Sequence, residues 1–479
     1  MKGTLARALE ALHGRDFRFL LGARLAGQAG DGLFNATIVA LVAFNPDQKT
    51  AVGVAEAFAL LILPYSLIGP FVGVFIDRWS RRRILVWTPV LRAVVLLAAS
   101  VASPGSPLFL VGALVAASVN RFFSATAGAV TPKLVPDEDL LMANSLASVG
   151  GTVTMSLFAF AGGLLADSVG TGPVVVLIAV AWLATALLAR AISTDLSALH
   201  APEMRLRRDL ARVGGEFVDG IRRLSHSASA LAPIASISWD QFLQGTVFVL
   251  SLVVFRERFR EGVGSYSWML AAGAAGLLLG IATVGILEDH MPKGRIVMLA
   301  FTVSGVGLLA ATISVTRVTV LIQAFLVGFA YAWKKVPVDT MVQEAVPDDY
   351  RGRVFAVYDV TFNIGRVSAT ALAVWLIPTA GVTGTLLLCG AGFLLWVPLL
   401  RAWLARADRM AVRFYAGAAA DEVPRAVVIF GDEVPVEALS SWHEERQGVR
   451  VLRFRVKTPE GLVLELSRPE AGGPWRLDA

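Results

Sequence analysis

Three stretches of this 479-residue chain place polar and ionisable side chains at helical spacing inside otherwise apolar sequence. The first is Arg24, Gln28, Asp31 and Asn35, at i, i+4, i+7 and i+11, one stripe of an α-helix. The second, Asp359, Asn363 and Arg366, repeats the i, i+4, i+7 spacing, and Asp240, Gln244 and Ser251 form a weaker third. An ionisable group inside an apolar helix is costly unless paired or hydrated, so each stripe marks expected proton, ion or ligand chemistry. Asp31, about halfway along its apolar run, is the candidate carrier of a coupling proton, and Arg24, two turns away, can reach it through Gln28 or water. The alternative for Asp31 is a structural hydrogen bond to a neighbouring helix. For Arg366 the alternatives are an ion pair with Asp359 or a site for an anionic substrate group.

Other chemistries lack their residues. Cys389 is the only cysteine, so an intrachain disulfide and a cysteine metal cluster are both excluded. The five histidines are scattered singly, and no metal site is expected. No P-loop lysine motif and no nucleophile–base constellation is present, so neither an enzyme nor direct ATP drive is expected, and no cofactor.

The elements that must carry these stripes follow from composition. Hydrophobic residues make up 56% of the chain and charged residues 17%, with a mean hydropathy of +0.65. Soluble domains are about one quarter charged, so a polytopic helical membrane protein is expected. A bilayer core takes roughly 20 apolar residues per helix. Such runs occur at residues 19–44, 51–76, 84–103, 107–130, 141–166, 171–191, 231–255, 265–287, 295–315, 318–341, 354–377 and 380–404, which predicts twelve spans. The first run continues into a full span, so it reads as a retained helix and not a signal peptide.

With the N-terminus inside, basic residues crowd the inner loops: Arg15 and Arg18, Arg78 to Arg83, Lys133, Arg205 to Arg223, Lys293 and Arg295, Arg351 and Arg353, and Arg406 to Arg413. Outer loops keep Lys49, Arg256, Arg258, Arg260 and Arg317. This bias predicts that both termini are cytoplasmic in a cell-membrane protein, and it accounts for the net charge of +6 without nucleic acid.

Residues 193–230 form a basic central loop whose Leu206, Leu210, Val213, Phe217, Ile221 and Leu224 suit an amphipathic helix on the inner membrane surface. The loop separates residues 15–192 from 231–405, and these halves repeat. Val135-Pro136-Asp137-Glu138 recurs 211 residues later as Val346-Pro347-Asp348-Asp349. From about residue 423 to 479 a small cytoplasmic α+β appendage is expected: a strand at 426–430, a short helix at 434–447, and a hairpin in which Leu452, Phe454 and Val456 face Leu462, Leu464 and Leu466 across a Pro-Glu-Gly turn.

The loop after the second run reads Gly73-Val74-Phe75-Ile76-Asp77-Arg78-Trp79-Ser80-Arg81-Arg82. It resembles the signature of the major facilitator superfamily, with Ser80 where that family usually has glycine. A degenerate second copy spans Gly285 to Ile296, and the resemblance covers about residues 15–405. It implies an all-α fold of two six-helix bundles around a central cavity lined by the first and seventh helices. It also implies a conformational latch made by Gly73, Asp77, Arg78, Arg81 and Arg82, with Arg121 as a partner for Asp77 or as a cavity cation. Arg92, Lys334 and Lys335 fall in the cytoplasmic halves of their helices, and for Arg92 and Lys335 snorkelling to the interface is expected. Phe34, Trp239, Phe242 and Trp333 are candidates for a greasy pocket.

Ala143-Asn144-Ser145-Leu146 and Asn120-Arg121-Phe122-Phe123 resemble bacterial efflux members, siderophore exporters and macrolide pumps. The resemblance therefore implies a monomeric antiporter exporting an amphiphilic small molecule in exchange for protons. Uptake of an anionic molecule drawn by Arg24 and Arg366 is the alternative, and a transport-inactive scaffold signalling through the appendage is a third.

Overall fold

The structure, a computed structural model, describes residues 14–44, 79–102, 106–136, 139–196, 214–215, 217–222, 224, 228–346, 348–407, 412–414, 424–429, 432–446, 449–459, 463–469 and 476–478. The expected run at 51–76 lies outside these residues, as do Gly73, Asp77 and Arg78.

The helices are α1 (Arg15–Ile38, continued by a π turn, Val39–Ala43), α2 (Arg81–Ala99), α3 (Pro107–Leu134), α4 (Leu140–Val169) and α5 (Thr171–Arg190), then α6 (Ala228–Val253), α7 (Val263–Glu288), α8 (Lys293–Ala311), α9 (Arg317–Ala345) and α10 (Asp348–Ala407). Local signals set their ends. Ser106 caps α3 by accepting from the Phe109 N–H at 3.3 Å, with Pro107 in the first helical position. Thr316 and Thr319 form a capping box at the start of α9. The long α10 breaks at Gly381, whose φ of 67° lies in the left-handed region, so its two parts match the expected runs at 354–377 and 380–404.

Among the described residues, seven helices are long and apolar enough to cross a bilayer: α3, α4, α5, α6, α7, α8 and α10. The polar residues predicted to do chemistry interrupt α1, and cations interrupt α2 and α9.

Packing repeats between the halves. In the first bundle α1 lies against α4 and α5, and α2 against α3 and α5; in the second, α6 lies against α10, and α8 against α9 and α10. Small residues allow the close approaches: a Cβ on Gly32 of α1 would meet the Met155 carbonyl oxygen of α4. The main contact between the bundles among the described helices is α4 against α7. There the Asp167 carboxylate accepts from the Gly264 N–H at 2.7 Å, and Phe160 meets Trp268 edge-on at 4.7 Å.

At the start of α1, Asp16 is bound by the backbone N–H groups and hydroxyls of Ser193 and Thr194, which ties α1 to the segment after α5. Desolvation works to raise its carboxyl, but these hydrogen bonds outweigh it and hold the pKa at about 2. In the central loop, Leu224 and Phe217 pack into the core of the second bundle, while Ile221 stays exposed. The Asp219–Arg353 ion pair, at 2.9 Å, joins this segment to α10. The helical turns around residues 214–224 thus lean on protein as well as presenting an exposed apolar face.

The C-terminal region differs from expectation in one element. Its strands are β1 (Val412–Phe414), β2 (Pro424–Ile429), β3 (Asp432–Pro435), β4 (Glu437–Arg446), β5 (Val449–Lys457), β6 (Val463–Pro469) and β7 (Arg476–Asp478). They form antiparallel sheets β1-β2-β3 and β4-β5-β6-β7. The expected hairpin is β5–β6, with Phe454 opposite Leu466 and Val456 opposite Leu464. The helix expected at 434–447 is instead strand β3 and β4. Pairing of β4 along β5 and burial of Val436 beside Phe454 and Val456 override the helix propensity of its Glu, Ala and Leu residues. All the elements described in this region are strands, so the α+β expectation is corrected to β for these residues.

Candidate functional site

A cavity of about 950 Å³ opens between the bundles. Gln28, Asp31 and Asn35 of α1 line it with Arg92, Asn120 and Arg121, and the second bundle contributes Gln244, Asp359, Asn363 and Arg366. Much of all three predicted stripes therefore meets across one space.

Asp31 is held in place from several sides. Gly30 and Gly32 flank it, and a Cβ on Gly30 would strike the Trp182 indole, so the bare backbone lets α1 press against α5. Arg92 donates from Nη2 to Asp31 Oδ1 at 2.5 Å, from Nη1 to Asn120 Oδ1 at 2.9 Å, and from Nε to the Ala116 carbonyl at 2.9 Å. Its guanidinium lies 3.8 Å from the Trp182 ring centroid. Asp31 also accepts from Asn120 Nδ2 at 3.0 Å and Trp182 Nε1 at 3.2 Å. Arg92 is only 3% exposed and does not snorkel, because each of its three guanidinium nitrogens finds an acceptor inside the bundle. A second, polar cavity of about 90 Å³ touches the same carboxylate and is lined by Arg24, Gln28, Asn120 and Ser124. Asp31 thus stands on a wall shared by two spaces, and Arg24 belongs to the smaller one.

The second bundle contains a sealed counterpart. Lys334 pairs with Asp240 and donates to Ser304 Oγ at 2.9 Å, while Gln241 donates to Asp240 at 3.1 Å. Lys334 and Asp240 are both 0% exposed, so this lysine does not reach an interface and Asp240 does not line the cavity. Lys334 Nζ lies 4.8 Å from the Phe393 ring and 5.0 Å from Phe301. Phe393 follows Trp182 by 211 residues, the spacing of the repeat. The cation has changed helix: it stands on α2 in the first bundle and on α9 in the second, where Ser304 of α8 takes the place near that of Arg92.

The remaining predicted residues divide. Asn363 donates to the Asp359 carbonyl at 2.7 Å, and Arg121 and Lys335 are cations whose fields act on Asp359. Lys335 also pairs with Asp339 at 2.5 Å, half-buried within its own helix. Arg82 donates to the Arg190 carbonyl at 2.9 Å and the Arg81 N–H to Leu196, both at the end of α5 and beyond. Of the four predicted aromatics, Phe34 lines the cavity. Trp239, stacked on Phe242 and Trp396, and Trp333, bonded to Thr283, pack between helices. Reasoning from sequence missed the pairing roles of Arg92 and Lys334 and the place of Gln323 on the cavity wall.

Comparison with known proteins places this geometry in context. The family model of the Major Facilitator Superfamily matches residues 20–259 and 234–452. An uncharacterised MFS-type transporter of Mycobacterium tuberculosis is 31% identical over 405 residues, covering 79% of this chain and 89% of that protein. Macrolide efflux protein A of Streptococcus pyogenes is 24% identical, covering 76% of this chain and 92% of its own. In fold, the crystal structure of the nucleoside transporter NupG is similar at a TM-score of 0.64 and 12% identity, covering 80% of this chain and 99% of that one.

Proposed function

Because this chain belongs to the Major Facilitator Superfamily, whose members are membrane transporters and not enzymes, we propose that it exports an amphiphilic small molecule in exchange for protons bound at Asp31. It is a multi-pass membrane protein of a family that moves small-molecule substrates. In this reading twelve spans form two bundles, residues 15–192 and 231–405, joined by the loop at 193–230. The termini and the strand-bearing segment at 423–479 lie on the cytoplasmic side, and the transporter works as a monomer. The bias of Lys and Arg toward one set of loops supports that orientation. With it, the α4–α7 contact closes the outer end of the cavity. Gly73, Asp77, Arg78, Arg81 and Arg82 latch the cytoplasmic face, while Arg121 serves the cavity.

The observation that carries the reading is a cavity-lining carboxylate whose cation partner, Arg92, is fixed by two other acceptors. When Asp31 takes a proton, its charge attraction for Arg92 is lost, while Arg92 stays anchored to Ala116 and Asn120. The wall charge then changes without a change of side-chain position, and the bundles rock with a different electrostatic cost. Efflux names among the relatives support export over uptake.

The test uses proteoliposomes loaded with a pH-sensitive dye and challenged with a rhodamine amphiphile. Wild type is expected to move protons on addition of the amphiphile, and Asp31→Asn to lose that movement. Normal amphiphile-driven proton movement by Asp31→Asn would overturn the coupling role.

A further inference from the structure

Three carboxamides on the cavity wall are engaged by the protein. Asn120 serves Asp31 and Arg92, Gln241 serves Asp240, and Asn363 donates to the Asp359 carbonyl. Gln244 and Gln323 differ. Gln244 Nε2 and both Nε2 and Oε1 of Gln323 are buried with no hydrogen-bond partner, and both residues line the cavity. Gln323 is 7% exposed. A buried amide left unpaired is destabilising, and an apolar side chain of similar size avoids that loss.

The fold makes room for this amide. Gln323 lies on the stripe of α9 that faces the cavity, together with Thr319, Val327 and Tyr331. Gly307 of α8 sits beside it, where a Cβ would come within 2.9 Å of Gln323 Oε1. The neighbouring wall is apolar, with Val320, Ala324 and Val327.

A carboxamide with donor and acceptor both free matches a ligand group that presents an acceptor beside a donor. A carboxylate would satisfy only Nε2, and an ammonium only Oε1. We infer that Gln323, assisted by Gln244, is an amide-recognition subsite on the second-bundle wall, and that the transported molecule carries a secondary amide such as a peptide or lactam bond. Its remaining polar groups face the Asp31–Arg92 wall. This inference rests on the transporter reading above and names the substrate class for the same cavity.

The experiment compares two isosteric probes on the full chain in nanodiscs: the dipeptide phenylalanyl-alanine and its depsipeptide phenylalanyl-lactate, in which an ester oxygen replaces the amide N–H. Wild type is expected to bind the dipeptide about tenfold or more tightly than the depsipeptide, because a site built to accept an N–H rejects the analogue lacking it. Gln323→Leu is expected to bring the dipeptide down to the depsipeptide's affinity while leaving the depsipeptide within about twofold. Thermal stability of Gln323→Leu is expected to match or exceed wild type, which separates lost recognition from lost folding. Equal affinity for the two probes, an unchanged ratio in Gln323→Leu, or no saturable dipeptide binding below about 10 mM would each overturn the inference. Failure here with amphiphile-driven proton movement intact removes the amide class alone. Loss of that movement as well removes the transporter reading beneath it.

Discussion

Replacing Arg92 by Met removes the cation from a carboxylate that is itself only 8% exposed. Asp31 keeps two donors, Asn120 Nδ2 and Trp182 Nε1, but no opposite charge among the contacts described. Breaking a buried ion pair from one side costs about 3–5 kcal/mol, because the remaining charge is left uncompensated. Asp31→Asn is milder. Arg92 then retains the Ala116 carbonyl, Asn120 Oδ1 and the Trp182 face, and the expected loss is about 1–3 kcal/mol. The double variant holds neither charge, so its stability is expected within about 1 kcal/mol of Asp31→Asn alone. The cycle should therefore return an interaction energy of about 2 kcal/mol or more. Reversible unfolding in mixed micelles of rising dodecyl sulfate fraction, followed by circular dichroism, gives the four free energies. An interaction energy below about 0.5 kcal/mol would refute the argument that these side chains stabilise one another.

Two further outcomes test other parts of the fold. Asp167→Ala removes the carboxylate that binds the α7 N-terminus from the other bundle, and a charge-assisted hydrogen bond of about 1.5–3 kcal/mol implies roughly tenfold or greater opening of that contact. With Cys389 buried, a Ser267→Cys reporter should then react faster with an impermeant maleimide than in the Asp167 background, and an equal rate would show that this contact does not hold the bundles together. Asp16 has a folded pKa of about 2, below its ordinary value of 3.8, so its tether contributes stability above that ordinary value and loses it as pH falls toward about 2. The stability difference between wild type and Asp16→Ala should accordingly be constant near neutrality and vanish over that acidic window; a difference independent of pH would contradict the tether.

The stripe of Arg24, Gln28 and Asp31 was legible because helical spacing alone fixes which side chains share a face. The same holds for Asp359, Asn363 and Arg366, which all line the cavity. Hydropathy likewise marks helices, since every apolar run within the described residues lies in one. The β5–β6 hairpin was legible for the related reason that alternation has a period of two. Asp240 was misleading, because facing inward on its helix does not say whether the inside is a cavity or a sealed core.

Composition and periodicity determined a polytopic helical chain with a repeat, and placed charges inside it. Tertiary structure alone decided how those charges pair. Arg92 lies 61 residues from Asp31 and Lys334 lies 94 from Asp240, so no local pattern links them. The position of a long side chain part-way along a helix is equally compatible with reaching an interface and with a bundle interior, and the choice is made by what the neighbouring helices offer: a carboxylate, an amide and an aromatic face. Segment 434–447 shows the same rule in the strands, where the partner β5 decides the conformation that propensity leaves open. Periodicity assigns a residue to a face, and only packing in three dimensions assigns that face its neighbours.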